Sequence, residues 1–78
     1  GLMTMAYERT RALVQTGEWL NELSRDCEQT AETRRIARAL ARHYPSKREI
    51  LNHGLFLENT FSPPLGDHFL SSEMEWKP

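Results

Sequence analysis

The chain reads as an all-α protein: a small three-helix domain, a helical hairpin plus a third helix, with an irregular C-terminal tail. Three observations predict this. Apolar side chains recur at three- and four-residue spacing in three separate stretches. Helix start and stop signals stand between those stretches, at Thr30 and at Pro45-Ser46. After Ser62-Pro63-Pro64-Leu65-Gly66 the remaining residues are too few and too mixed for another core element.

The first helix is expected from Met5 to about Arg25, with Thr4 as a cap. Ala12, Leu13, Thr16, Trp19, Leu20, Leu23 and Cys27 share a stripe roughly 120° wide, with Tyr7 and Val14 off it. Trp19 on that stripe reads as a core or core-edge residue, an exposed binding anchor being the lesser option. Glu8, Arg11, Glu18, Glu22 and Arg25 fall on the outer side, Glu8–Arg11 and Glu22–Arg25 at i,i+3 spacing. Gly17 interrupts the pattern at a cost of about 1 kcal/mol relative to alanine. Arg9 lies at the end of the apolar stripe. It reads as a side chain reaching from the helix end to water, with an ion pair to the tail as the alternative.

Asp26 to Thr30 is a short polar connection, of a length that joins antiparallel neighbours into a hairpin. Cys27 at its start reads as an inert buried thiol, since no basic cluster adjoins it.

The second helix is the clearest. Thr30 caps it, and Pro45 ends it by lacking an N–H and by forcing Tyr44 out of the helical region. Thr33, Ile36, Ala37, Leu40, Ala41 and Tyr44 form one side. Arg34, Arg35, Arg38 and Arg42 gather on roughly a 100° arc of the other. Their plain reading is a solvated face; the sharper one is an anion-binding surface, because only Glu32 stands near four guanidiniums. Lys47 and Arg48 extend that basic face into the third helix. Ser46 and Glu49 open this helix as a capping box. Ile50, Gly54, Leu57 and Phe61 line one side within about 40°, so it is expected to run to about Glu58, the alternative being an early end with Gly54 as the C′ residue. Gly54 there admits another helix at close range.

The domain plan that follows is residues 1–2 as a cloning scar before the natural initiator Met3, 3–61 as the helical domain and 62–78 as an acidic, aromatic tail. The tail is either a strap packed over the helices or a linear interaction segment. Its anchors are Phe69, Leu70, Met74 and Trp76, and its acidity suggests docking near the arginine face, either its own or that of a second copy.

A chain of 78 residues is one domain. It buries only about 60% of its unfolded surface, so its stability is marginal unless it pairs with itself or a partner. The near-neutral net charge of −1 hides a strong asymmetry. Residues 1–30 carry net −2, 31–48 carry net +5 and 49–78 carry net −4. One cysteine excludes an internal disulfide. No apolar run approaches the roughly 20 residues of a membrane span, and nothing at the start resembles a signal peptide. The default expectation is a cytoplasmic protein.

Tyr7-Glu8-Arg9-Thr10-Arg11-Ala12-Leu13, Gln15-Thr16, Glu18-Trp19-Leu20, Arg42-His43-Tyr44-Pro45-Ser46 and Phe69-Leu70-Ser71-Ser72 with Trp76 resemble a family of short bacterial proteins of unknown activity. That family opens with an ERTRALVQT-type helix, breaks at an RHYPS-type turn and ends in an FSS-type tail. The resemblance covers most of the chain and is weakest in the middle of the third segment. It implies a stand-alone cytoplasmic protein whose tail belongs to the folded unit. Gly17 departs from it, standing where a longer charged side chain is implied.

Zinc needs four converging ligands from paired motifs, whereas Cys27, His43, His53 and His68 are ten or more residues apart. No nucleophile–histidine pair or glycine-rich phosphate loop is placed by spacing. Glu18/Glu22 and Glu73/Glu75 sit on an outer face and in the tail, where nothing raises a carboxyl pKa. The expectation is therefore not an enzyme, with no cofactor and no metal, but a protein–protein interaction or regulatory module, with a homodimer one possibility. The rival is nucleic-acid binding by Arg34, Arg35, Arg38, Arg42, Lys47 and Arg48, helped by free N–H groups at the start of the third helix. The acidic ends oppose that rival, and the pattern of a base-reading helix is missing.

Overall fold

A computed structural model of the chain describes residues 4–60 and 68–75. Among the described residues all regular structure is helical, without a strand, in the order α1 (Ala6–Leu23), α2 (Ala31–Arg42) and α3 (Lys47–Thr60), and residues 68–75 are irregular. The expected break at Ser62–Gly66 lies outside the described residues, as do Phe61, Trp76 and residues 1–2, where a cloning scar is expected.

The local signals act as their chemistry dictates. The Thr30 hydroxyl accepts the Thr33 N–H at 3.1 Å and so caps α2. At the next start, the Ser46 hydroxyl accepts from Glu49 N at 3.1 Å while the Glu49 carboxylate accepts from Ser46 N at 2.9 Å. Between them, Tyr44 N still reaches Ala41 O at 3.2 Å, and Ile50 N reaches Ser46 O at 3.0 Å. The backbone therefore turns only over His43–Ser46, and α2 and α3 follow each other as two arms of one bent rod.

Both arms pack on α1, and they make no packing contact with each other. The expected α1–α2 hairpin is present. At the start of α1 the expected cap is corrected: Met5 is the N-cap residue, and its N–H is taken by the Glu8 carboxylate at 2.9 Å. Thr4 is instead held by Arg9, whose Nη1 donates to the Thr4 carbonyl at 2.7 Å and to its hydroxyl at 2.9 Å.

The buried face of α1 overlaps the predicted stripe only along one edge, where Leu20 is buried and Leu13 packs against the core as expected. Thr10, Val14 and Leu20 are buried, whereas Ala12, Thr16 and Trp19 are exposed. At 100° per residue the true inner face is turned by roughly 100° from the expected stripe. The cause is what covers the helix. The Tyr44 ring lies on Gly17, where an added Cβ would stand 2.8 Å from the ring, and its hydroxyl donates to the Leu13 carbonyl. The tail backbone lies on Thr10. A small residue and a hydroxyl face inward because a ring and a peptide group pack there, and an oiliness count sees neither.

The central cluster is Val14 of α1, Ile50 of α3 and Leu70 of the tail, with Leu13, Tyr44, Leu57 and Met74 against it. Residues 68–75 thus share the core of the helices. On α2 only Ala37 is buried.

Candidate functional site

The basic face is smaller than the sequence suggests. The Arg34 guanidinium turns back over the α1–α2 connection, donating from Nη1 to the carbonyls of Gln29, of Asp26 at 3.3 Å and of Cys27 at 3.4 Å. These carbonyls have no helix to satisfy them, so Arg34 is a loop-closing residue. Arg35 pairs with Glu32 at 2.5 Å on the open surface, where such a pair contributes little. Arg38, Arg42, Lys47 and Arg48 are exposed.

The start of α3 is not an open phosphate cradle. The Ser46 hydroxyl and Glu49 carboxylate take the N–H groups of Glu49 and Ser46. Bonds from the Ser46 backbone and hydroxyl hold the Glu49 carboxyl below its ordinary value, which keeps a negative charge where a phosphate would sit.

The tail is a strap, and it lies on α1 and α3 rather than on the arginine face. The expectation that its acidity would bring it to the arginines of its own α2 is corrected for the described residues. Three features seat it. The Arg9 guanidinium donates from Nε to the Phe69 carbonyl and from Nη2 to the His68 carbonyl, both at 2.8 Å. It therefore binds tail backbone, so Arg9 turns to the tail and does not reach out to water. The Thr10 hydroxyl meets both backbone groups of Ser71. Gly54 of α3 admits the strap at a distance no side chain permits, since a Cβ there would stand 2.2 Å from the Ser71 oxygen. Gly54 is thus the close-approach residue expected, but what approaches is the tail backbone and not a helix.

Glu58 fastens the strap from the α3 side. Its carboxylate accepts from the Ser71 hydroxyl at 3.1 Å, the Ser72 N–H at 3.1 Å and the Ser72 hydroxyl at 2.6 Å. Burial alone would raise its pKa. The bonds from Ser72 and Ser71, with His68 nearby, outweigh burial and hold it below the ordinary value. Of the expected tail anchors, Leu70 is buried in the core and Met74 is half-buried against it. Phe69 is 64% exposed, its ring centroid 5.7 Å from the Arg9 guanidinium carbon. Trp76 lies outside the described residues. A hollow of about 370 Å³ separates the acidic strap end, Glu73 to Glu75, from Lys47 and Leu51.

The largest departure from expectation is apolar. Trp19, expected in or at the edge of the core, is 57% exposed. Ile36 and Leu40, on the apolar side of α2, are 46% and 55% exposed. An open groove of about 650 Å³ between Trp19, Leu23 and Thr33 runs between the two helices, with Glu22, Asp26 and Gln29 at its edge. Helical phase puts Ala12 and Thr16 beside Trp19, and Leu40 and Ile36 beside Thr33, so one flank of the hairpin presents apolar side chains from both helices. The Thr16 hydroxyl is satisfied within its own helix by the Ala12 carbonyl at 2.7 Å. Sequence periodicity found this apolar stripe on α1 but assigned it to the core. Cys27, expected to be buried, is exposed in the connection.

Among the described residues no three His, Cys, Asp or Glu side chains converge as a metal site, and no helix is long and apolar enough to cross a membrane. No family model, curated protein or solved structure matches the chain.

Proposed function

We propose that this chain is a protein–protein interaction module, in which the hairpin plus third helix is the scaffold and the α1–α2 flank is the docking face. One observation carries this reading: Trp19, Ile36 and Leu40 are about half exposed on one flank of a very small domain. Contiguous apolar surface of this kind marks contact sites, and tryptophan is a common anchor of them. The exposed Glu32, about 40° around α2 from Ile36, and its partner Arg35 supply a polar border. A stand-alone cytoplasmic adaptor or regulator, not an enzyme, fits this reading and the resemblance to short bacterial proteins.

The test is co-purification. The tagged wild-type chain, expressed at natural level, retains a protein partner, and Leu40→Glu releases it while the far-ultraviolet helical signal stays the same. Equal retention by both removes the reading.

The second reading, nucleic-acid binding through Arg35, Arg38, Arg42, Lys47 and Arg48, is favoured by the exposure of these cations. It is opposed by the Glu49 carboxylate at the start of α3. It predicts duplex binding that weakens steeply with salt and is abolished by Arg38→Glu with Arg42→Glu.

A further inference from the structure

We propose that the groove between α1 and α3 is a binding site for extended peptide, held in this structure by the chain's own residues 68–75, and that its partner ligand is a segment of another protein with leucine followed by two serine-type residues. The site is separate from the α1–α2 flank and independent of the reading given to that flank.

A helical hairpin has no open sheet edge to offer an extended chain, so its side chains must supply the hydrogen bonds. Here they do. Arg9 donates to the His68 and Phe69 carbonyls. Thr10 serves both backbone groups of Ser71, and Glu58 takes the Ser72 N–H. Three side chains of the helices thus meet backbone groups along residues 68–72, and such bonds hold a peptide whatever its side chains are. Gly54 clears the floor of the groove for peptide backbone at Ser71. Sequence is read at three consecutive positions. Leu70 is buried between Val14 and Ile50, and the hydroxyls of Ser71 and Ser72 donate to the Glu58 carboxylate. Phe69 points to solvent and leaves its position open to other side chains.

All of these contacts belong to residues 68–72 themselves, so a segment of the same pattern on another chain meets the same groups. A short tether keeps its own segment at an effective concentration of roughly millimolar, so a strap of modest intrinsic affinity fills the groove. The strap also fits incompletely. Past Ser72 its end, Glu73 to Glu75, stands off Lys47 and Leu51 across the hollow of about 370 Å³, and Met74 is only half-buried. A partner with a bulkier apolar side chain at the Met74 position fills that hollow and gains contact that the chain's own tail lacks.

The experiment is peptide exchange in a cut chain. A site-specific protease sequence is inserted after Pro64 and the purified full chain is cut there. The two pieces are expected to stay together with an unchanged far-ultraviolet helical signal. A fluorescent synthetic peptide of residues 67–78 then exchanges into the cut chain, read by anisotropy, and binds the intact chain at least about tenfold more weakly because the tethered strap competes. Unlabelled peptides with Leu70→Ala, or with Ser71→Val and Ser72→Val, compete at least about tenfold less well than the native one, whereas Phe69→Ala competes within about threefold. Met74→Phe competes better. In the cut chain Glu58→Gln, or Gly54→Ala where it keeps its helical signal, weakens binding of the labelled peptide at least about fivefold. No exchange, a scrambled peptide that competes equally, or a cut chain that unfolds and is not restored by excess peptide overturns the proposal. An intact chain of dimer mass by light scattering that becomes monomeric on cutting also overturns it, since a second copy's tail is then the occupant.

Discussion

The Thr10 hydroxyl and the Ser71 backbone exchange two hydrogen bonds: Oγ1 donates to the Ser71 carbonyl at 3.0 Å and accepts the Ser71 N–H at 2.9 Å. Thr10 is 0% exposed. An extended strap without a sheet to join must satisfy its peptide groups elsewhere, and one hydroxyl can serve both. Thr10→Val keeps the shape and removes both bonds. The expected loss is about 2–4 kcal/mol in a denaturant titration, with Thr10→Ser much closer to wild type. A valine variant as stable as wild type would show that the strap does not depend on this hydroxyl.

Gly54→Ala reverses a familiar rule. In an ordinary helix interior the change stabilises by about 1 kcal/mol. Here the new methyl would stand 2.2 Å from the Ser71 oxygen and 2.3 Å from its carbonyl carbon. Backbone cannot yield as a side-chain tip can, so the strap must lift and Leu70 must leave the core. We expect a net loss of roughly 2 kcal/mol or more, and faster protease cleavage within residues 68–75. A stabilised Gly54→Ala protein with a protected tail would exclude this geometry.

Glu58 makes strap docking sensitive to acid. Its folded-state pKa lies below the ordinary value of 4.5, through hydrogen bonds made only when the strap is seated. A depressed carboxyl pKa contributes stability that is present above the unfolded-state value and lost as pH falls through the folded-state one. Stability and amide protection of Ser72 should therefore fall as pH drops below about 4.5. Glu58→Gln should flatten that part of the profile, leaving the contribution of Glu49, whose pKa is also lowered. An unchanged acid limb would mean that Glu58 does not clamp the strap.

Tyr44 and Gly17 should behave as one unit. Tyr44→Phe removes the bond to the Leu13 carbonyl, at a cost of about 1 kcal/mol. Gly17→Ala brings a Cβ within 2.8 Å of a ring pinned by that bond, so it should destabilise despite better helix propensity. Combined with Tyr44→Leu, the alanine should be nearly harmless, a coupling readable in a double-mutant cycle. Strictly additive effects would separate the two residues.

Among the arginines of α2, Arg34 should stand apart. Arg34→Met removes the donor that closes the connection at Asp26, Cys27 and Gln29, and should lower stability by about 1–2 kcal/mol. Arg38→Ala and Arg42→Ala remove solvated groups and should stay within about 0.5 kcal/mol of wild type. Equal effects at all three positions would return Arg34 to the solvated face.

What was legible in the sequence obeys local rules. Thr30 as a cap, the Ser46–Glu49 box, the stop at Pro45 and the α1–α2 hairpin need only a few neighbouring residues and the geometry of one backbone turn. The inner line of α3 was legible too, because Ile50, Gly54 and Leu57 do face the core.

Tertiary structure alone decided which side of α1 is inside. Periodicity weighs side chains by oiliness, and it chose a stripe that includes the core residues Leu13 and Leu20 but is centred on the exposed Ala12, Thr16 and Trp19. The true inner face holds Thr10 and Gly17, chosen by a peptide group and an aromatic ring that arrive from more than twenty residues away. The same limit moved Arg34 from a docking face to a loop and the strap from the arginines to α3. A charge or a glycine declares its type in the sequence. Its partner is declared only when distant backbone is brought within hydrogen-bonding distance.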